Sequence, residues 1–376
     1  MVEATLRGAN EPFTDIEVAA LSLRKRLGRS LVEAWFDYAP KPLEPETIRK
    51  AVVFIPKSIG DGMAVFPVIR ALQSRSLEWL GIVTSDRNAA VFEPLQGDGV
   101  ELFVIPRDRD YRQVRQTARS IRQRCGRVDL CVDATLAASS PAIHFVGTLK
   151  ARMNLQLSSS TMRAYAPFCN EVTTELPTTP LPGSWSRLMA RAGIADVPAR
   201  YELPIATEVE EEVIALTAEL GRYVAFNLDG SIPERSIPLD QARRLSSILH
   251  RSSQLPVVIP CAPGGEPKAL ELAASMPYVH VVPTARTIPH SAAIIKHAEL
   301  LVSPDTAAIH MASAFDRPTL GIYLTEPSVW RPLAVHHRTM TAPTLPLLDD
   351  QAFEQALTEL LALRDTPEPA EGKADS

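Results

Sequence analysis

The sequence predicts an α/β protein made of two doubly wound domains that face a cleft. Short, continuous apolar runs alternate with helix-length stretches, the pattern of parallel sheets covered on both faces. The alternation occurs twice, each time over a stretch of domain size. A chain of 376 residues also suits two domains at roughly 100–200 residues each.

Taken in order, the first stretch is helical. Ile16, Ala20, Leu23, Leu27, Leu31 and Trp35 recur nearly every fourth residue across 15–37, with Arg24, Lys25, Arg26 and Arg29 on the other side, which marks an amphipathic helix. It either packs on the body or lies on an anionic membrane surface. Pro40, Pro42 and Pro45 then form a stiff joint. The first strand series is 51–55, 80–84, 101–105 and 128–133, with a helix over 63–72 after the first strand and an Arg-rich helix over 111–124. A Pro- and Thr-rich stretch, 171–205, contains a short helix over 184–193 that Gly193 ends. The second series is 223–228, 256–260, 279–283, 300–305 and 319–324, with helices such as 239–251 and 290–299. A last helix spans 350–364. The expected units are an N-terminal helical extension (1–47), a first domain (48–180), a second domain (181–345), and a C-terminal helix with a disordered polar tail (346–376).

Composition removes several classes. A formal net charge of −5 argues against a nucleic-acid binder. No apolar run reaches the ~18–20 residues that span a bilayer, and the first residues lack the pattern of a secretory signal. Cys125, Cys131, Cys169 and Cys261 are scattered, without metal-ligand spacing, so they read as reduced thiols of a cytoplasmic protein that needs no metal or other cofactor. Charge is unequally shared. Residues 1–170 hold 23 Lys+Arg against 18 Asp+Glu, and the remainder 16 against 26. The basic first half either meets anionic material or carries an ordinary solvated Arg face.

Four loops follow strands, where ligands of such sheets sit. Ser58, Gly60 and Asp61 form a turn into a helix. Asp61 either accepts a proton from a substrate hydroxyl or caps the helix. Asp305, Thr306, Ala307 and Ala308 open a helix that carries His310; its free N–H groups suit a diphosphate. Gly230, Ser231 and Arg235 lie in a third loop, where Arg235 offers a fork for phosphate oxygens. Glu266, after Gly264 and Gly265, either binds a ribose diol or is the charge at a helix start. The glycine fingerprints of dinucleotide and NTP sites are absent.

These motifs resemble glycosyltransferase family 9, the bacterial heptosyltransferases of the lipopolysaccharide inner core. The resemblance rests on Ser58-Ile59-Gly60-Asp61, Phe66-Pro67 and Leu72, then on Asp305, Thr306, Ala307, His310, Ala312, Ala314 and Pro318, and covers about 48–345. It implies a GT-B architecture of two Rossmann-like domains, the first for the acceptor and the second for the donor. It further implies an inverting, metal-independent transfer of heptose from ADP-heptose, in the cytoplasm or peripherally at the inner face of its membrane. Asp61 then becomes the base, with Ser58 and Gly60 beside the acceptor. Ser231, Arg235, Glu266, Asp305, Thr306, Ala307 and His310 become the donor site. An anionic glycolipid or glycan acceptor would give the basic first half a purpose, with Arg107, Arg109, Lys150 and Arg152 as its candidates.

Three positions depart from the family pattern. Arg235 stands where Lys is usual, Ile237 where Trp is usual, and Pro56-Lys57 precede the first motif. Asp108-Arg109-Asp110 resembles a metal-binding D-x-D but lies far from the donor motifs. The alternatives are a relative that uses another nucleotide sugar, or a polysaccharide or protein acceptor, and a non-catalytic nucleotide-sugar binder.

Overall fold

The computed structural model describes residues 30–40, 43–105, 110–136, 139–157, 160–175, 178–230, 232–261, 265–282, 287–327 and 329–364. The first described element is helix α1 (30–36). It continues through β1 (Lys50–Phe54), α2 (Ile59–Ala64), α3 (Phe66–Gln73), β2 (Trp79–Ser85), α4 (Ala89–Phe92), β3 (Val100–Ile105), α5 (Tyr111–Cys125), β4 (Leu130–Asp133), α6 (Ser140–Leu149), β5 (Met153–Gln156), α7 (Phe168–Glu175) and α8 (Leu181–Arg191). The second half follows as α9 (Thr207–Thr217), β6 (Val224–Phe226), α10 (Leu239–Ser253), β7 (Val257–Ile259), α11 (Glu266–Ser275), β8 (Val279–Val281), α12 (Ile288–His297), β9 (Leu301–Pro304), α13 (Ala307–Ala314), β10 (Thr319–Tyr323), β11 (His337–Thr341) and α14 (Asp350–Arg364).

Both sheets are parallel, ordered β3-β2-β1-β4-β5 and β11-β10-β9-β6-β7-β8. Strand order reverses between β1 and β4 in the first sheet and between β6 and β9 in the second. Crevices open at such reversals, beyond the carboxyl ends of the strands. Helices α5 and α6 cover one face of the first sheet, through Val114, Ala118, Ile121, Phe145 and Val146 against Val52 and Phe54. In the second domain, α10 and α14 cover Phe226, Val257 and Leu320. One further buried cluster runs from α2, α3 and α8 across to α12 and α13, joining the domains.

The two-domain α/β fold is as expected, but several boundaries are not. Helix α8 packs Trp185, Leu188 and Met189 beside Phe66 and Ile69 of α3. It therefore belongs to the first domain, and the crossing comes after it rather than at residue 181. Helix α14 is no appendage either, since Phe353, Leu357 and Leu360 are wholly buried in the second core. The helix expected over 63–72 is two helices broken at Val65, because Pro67 beside the start of α3 clashes with the carbonyl four residues before it. On α1 the inward face differs from the expected stripe. Val32 and Phe36 pack inward, whereas Leu31 and Trp35 face outward; positions 15–29 lie outside the described residues. Strands β5 and β11 escape a hydrophobic reading because they carry polar residues. In β5, Asn154 Nδ2 donates to Tyr38 Oη at 2.7 Å and to the Ala164 carbonyl at 2.7 Å, so both donors of a buried amide are satisfied inside a strand.

Candidate active site

The first-domain part of the site is the loop from β1 to α2. Asn88, wholly buried, pins it: its Nδ2 donates to the Ile55 carbonyl at 2.8 Å, and its Oδ1 accepts from Thr84 Oγ1 at 2.6 Å and Ser85 N at 3.0 Å. Ser58 caps α2 and forms a capping box with Asp61. Asp61 Oδ2 accepts from Ser58 N at 3.2 Å and makes a short contact with Ser58 Oγ. Asp61 is therefore a helix cap, and it also faces open space. With Lys57, Ser58, Arg87, Thr135 and Ser139 it lines a cavity of about 440 Å³ beyond the first sheet. Behind Thr135 lies Asp133, fully buried, which accepts from Tyr165 Oη at 2.8 Å and Thr135 Oγ1 at 2.8 Å. Burial pushes its carboxyl up.

A second cavity of about 570 Å³ lies between the domains. Ser58, Ile59 and Gly60 form one wall; Asn227, Gly230, Arg235, Asp305, Thr306, Ala307 and His310 form the other. Ser58 borders both cavities, so they are neighbours on either side of it. Helices α2 and α13 come close because position 60 is glycine; a Cβ there would stand 3.1 Å from His310 Cδ2.

On the second-domain side, Thr306 caps α13 by accepting from Ala308 N at 3.0 Å. Asn227 Nδ2 bridges Ser303 Oγ at 3.0 Å and Thr306 Oγ1 at 3.2 Å, tying the ends of β6 and β9 together. Arg235 Nη1 pairs with Asp305 Oδ2 at 2.8 Å across the pocket. Burial raises the Asp305 carboxyl, and the Arg235 charge opposes that rise. Lys268 of α11 pairs with Asp229 at 2.6 Å and reaches the carbonyls of Leu228 and Ile237, which holds both ends of the Arg235 loop.

His310 is 5% exposed and lies between the rings of Tyr201, at 4.5 Å, and Trp330, at 5.4 Å. Its Nδ1 is buried without a hydrogen-bond partner, and burial lowers its pKa from 6.5 to about 4. The ring is neutral at pH 7. Between these two values the unfolded chain binds a proton that the folded chain refuses, so stability falls as pH drops from 6.5 toward 4. The full gap corresponds to about 3 kcal/mol at ~1.4 kcal/mol per pH unit. Urea unfolding at pH 7 and pH 4.5 should show this loss in wild type and a smaller one in His310→Phe. Equal losses would show that His310 is not the group responsible. The raised Asp305 carboxyl acts in the opposite sense, which is why the comparison with the variant matters.

The structure thus gathers Ser58, Gly60, Asp61, Arg235, Asp305, Thr306, Ala307 and His310 around two neighbouring cavities. Glu266 sits at the start of α11, on the same edge, but outside the lining of either cavity. Lys150 and Arg152 do not join the site. Both precede β5, at the amino end of the sheet, and Arg152 pairs there with Asp129 at 3.3 Å; loops that lead into strands lie opposite the crevice. Arg107, Arg109, Ser231 and Asp108 lie outside the described residues. Asp110 is the cap of α5, accepting from Arg112 N at 2.8 Å. Among the described residues no group of three or more His, Cys, Asp or Glu is placed to hold a metal ion. Lys57, Arg87, Asn227, Lys268 and Trp330 were not assigned from sequence. Arg87 and Asn227 each closely follow a strand of the crevice edge, a signal that was available.

A family model for glycosyltransferase family 9 (heptosyltransferase) matches residues 119–357. The chain belongs to glycosyltransferase family 9. It is thus a glycosyltransferase, and the first motif, with Asp61, precedes the matched stretch. It is 34% identical over 223 residues to the uncharacterized protein YeeL of Escherichia coli strain K12, covering 58% of this chain and 95% of that protein. Among solved structures, a family 9 glycosyltransferase from Veillonella parvula superposes with a TM-score of 0.68 at 15% identity, over 85% of this chain and 99% of the other. Escherichia coli heptosyltransferase WaaC, solved with ADP, gives 0.61 at 21% identity over 82% and 99%. Escherichia coli ADP-heptose lps heptosyltransferase II gives 0.60 at 14% identity over 84% and 100%. These likenesses establish the GT-B fold of two Rossmann-like domains. No helix among the described residues of this family 9 chain is long and apolar enough to cross a membrane.

Proposed function

We propose that this glycosyltransferase moves a heptose from ADP-heptose to a hydroxyl of an anionic glycolipid or glycan, of the lipopolysaccharide-core type, with inversion and without a metal. The observation that carries the proposal is the adjacency of two cavities, both lined by Ser58. One holds the Asp61 carboxylate beside two cations, and the other holds Arg235 and the start of α13.

In this reading the acceptor occupies the first-domain cavity. Asp61 takes the proton of its hydroxyl, and the oxygen attacks the anomeric carbon as the glycosyl–phosphate bond breaks on the far side, which inverts that centre. Charge grows on the leaving diphosphate in an oxocarbenium-like transition state. In this reading Arg235 and the start of α13 stabilise that charge, which favours the transition state over the ground state. Ser231 and Glu266 remain candidates for the nucleotide end of the donor. Lys57 and Arg87 replace Lys150 and Arg152 as the groups that meet acceptor anions. Arg107 and Arg109 remain candidates. A lipid-borne acceptor would bring the chain to a membrane peripherally, on the cytoplasmic side.

Position 237, where the family usually has Trp, holds an Ile buried in the second core. This motivates testing the donor broadly, by calorimetry with ADP, GDP, UDP and ADP-heptose. Selective binding of ADP and ADP-heptose is expected. Preference for another nucleotide would discard heptose, and binding without transfer would indicate a non-catalytic relative. In transfer assays, Lys57→Ala/Arg87→Ala should raise the acceptor KM and flatten its salt dependence. An unchanged salt dependence would remove these cations from acceptor binding.

A further inference from the structure

Helix α1 has two unlike faces. On the inner face, the Phe36 ring meets His144 edge-on at 4.5 Å, and a Cβ at Gly147 would overlap Phe36; this glycine lets α1 lie directly on α6. On the outer face, Leu31 and Trp35 stand one turn apart, 73% and 85% exposed. Trp35 is the most exposed large apolar side chain among the described residues.

The same helical layer carries a row of cations. Arg112, Arg115, Arg119 and Arg122 recur at three- and four-residue spacing along α5, so they share one face. Val114, Ala118 and Ile121, about a third of a turn round the helix from that row, are buried. The row is joined to α1 at both ends. Near its start, the Tyr111 ring lies 4.8 Å from His144, whose other side holds Phe36. Near its end, Arg122, Arg127 and Lys150 surround a surface hollow of about 460 Å³ together with Tyr38. Among the described residues none of these six cations has a carboxylate at ion-pair distance. Their neighbours Arg124, Arg152 and Arg163 do, with Glu101, Asp129 and Asp37. Among the described residues, six cations thus stand without an ion-pair partner in the helical layer that carries the exposed Trp35.

We propose that this face, Leu31 and Trp35 of α1 with the Arg row of α5, Arg127 and Lys150, is a docking surface for an anionic phospholipid bilayer. Trp settles at the headgroup level of a bilayer, and an apolar helical face penetrates it shallowly. Each nearby Lys or Arg adds attraction to anionic headgroups. None of these residues lines either cavity, so the inference does not depend on the donor or acceptor assigned above.

The test is co-sedimentation of the full chain with vesicles of phosphatidylcholine alone or with about one third phosphatidylglycerol. Wild type should bind the anionic vesicles at least tenfold more tightly, and lose that preference when salt rises from about 50 to 500 mM. Arg119→Glu/Arg122→Glu should weaken binding by tenfold or more, and Trp35→Ala several-fold. These side chains are exposed, so circular dichroism and nucleotide calorimetry should not change; a change confined to calorimetry would concern the donor reading instead. Equal binding to both vesicle types, or variants that bind like wild type, would overturn the proposal. So would a dimer in sedimentation velocity that Trp35→Ala dissociates without any vesicle binding, since the face would then join two copies of the chain.

Discussion

Asp61→Asn is expected to lower kcat by about 10²- to 10⁴-fold, the usual contribution of a positioned general base, while donor affinity stays within about twofold. Asn keeps the shape of the side chain at the third helical position but cannot take a proton. The capping box with Ser58 complicates a plain truncation, since loss of a cap costs about 1 kcal/mol of stability. For that reason Asn is preferred to Ala, and a thermal melt should accompany the kinetics. Initial rates at saturating donor, with calorimetry on the same samples, separate the two effects. A variant that retains more than a tenth of wild-type kcat would place the base elsewhere in the cavity that Asp61 shares with Lys57, Arg87, Thr135 and Ser139.

The second large effect is expected at Arg235. Its ion pair with Asp305 has side chains 38% and 26% exposed, so solvent screening leaves it less than about 1 kcal/mol of stability. Its value is expected in catalysis. Arg235→Ala should reduce kcat by about 10²- to 10³-fold, the effect of removing one donor aimed at developing charge, with Tm nearly unchanged. It also leaves the Asp305 carboxyl without the cation that opposes its rise. Arg235→Lys should recover part of the rate, because it restores charge but not the two-pronged geometry. Full recovery by Lys would show that only charge is needed; no loss with Ala would remove Arg235 from the diphosphate site. Asp305→Ala in both backgrounds, analysed as a double-mutant cycle, measures how far the pair acts as one unit.

Much of this organisation is written along the chain. Ala51-Val52-Val53-Phe54 and Leu320-Gly321-Ile322 read as buried parallel strands because nothing polar interrupts them, and local chemistry at the ends of such strands marks the site. Ser58 with Asp61, and Asp305 with Thr306, are helix starts whose meaning depends on neighbours in sequence. Where a segment's partner is distant, the pattern misleads. Nothing in 181–191 states that Trp185 will bury itself beside Phe66, and the repeat of Leu31 and Trp35 looks like a packing stripe until Phe36 is seen on Gly147. Charge alone nominates Lys150 and Arg152, whereas the side of a sheet on which a loop lies is a property of strand direction.

The sequence by itself determined the two parallel sheets, their strands along the chain except β5 and β11, and the helix starts that face the crevice, because these follow from hydrophobic runs and capping over a few residues. Tertiary structure alone decided that Asp61 and Arg235 border neighbouring cavities, that His310 is buried and neutral between Tyr201 and Trp330, and which cations line the first-domain cavity. Those outcomes depend on contacts between residues far apart in the chain, and on the desolvation such contacts impose, which no local pattern encodes.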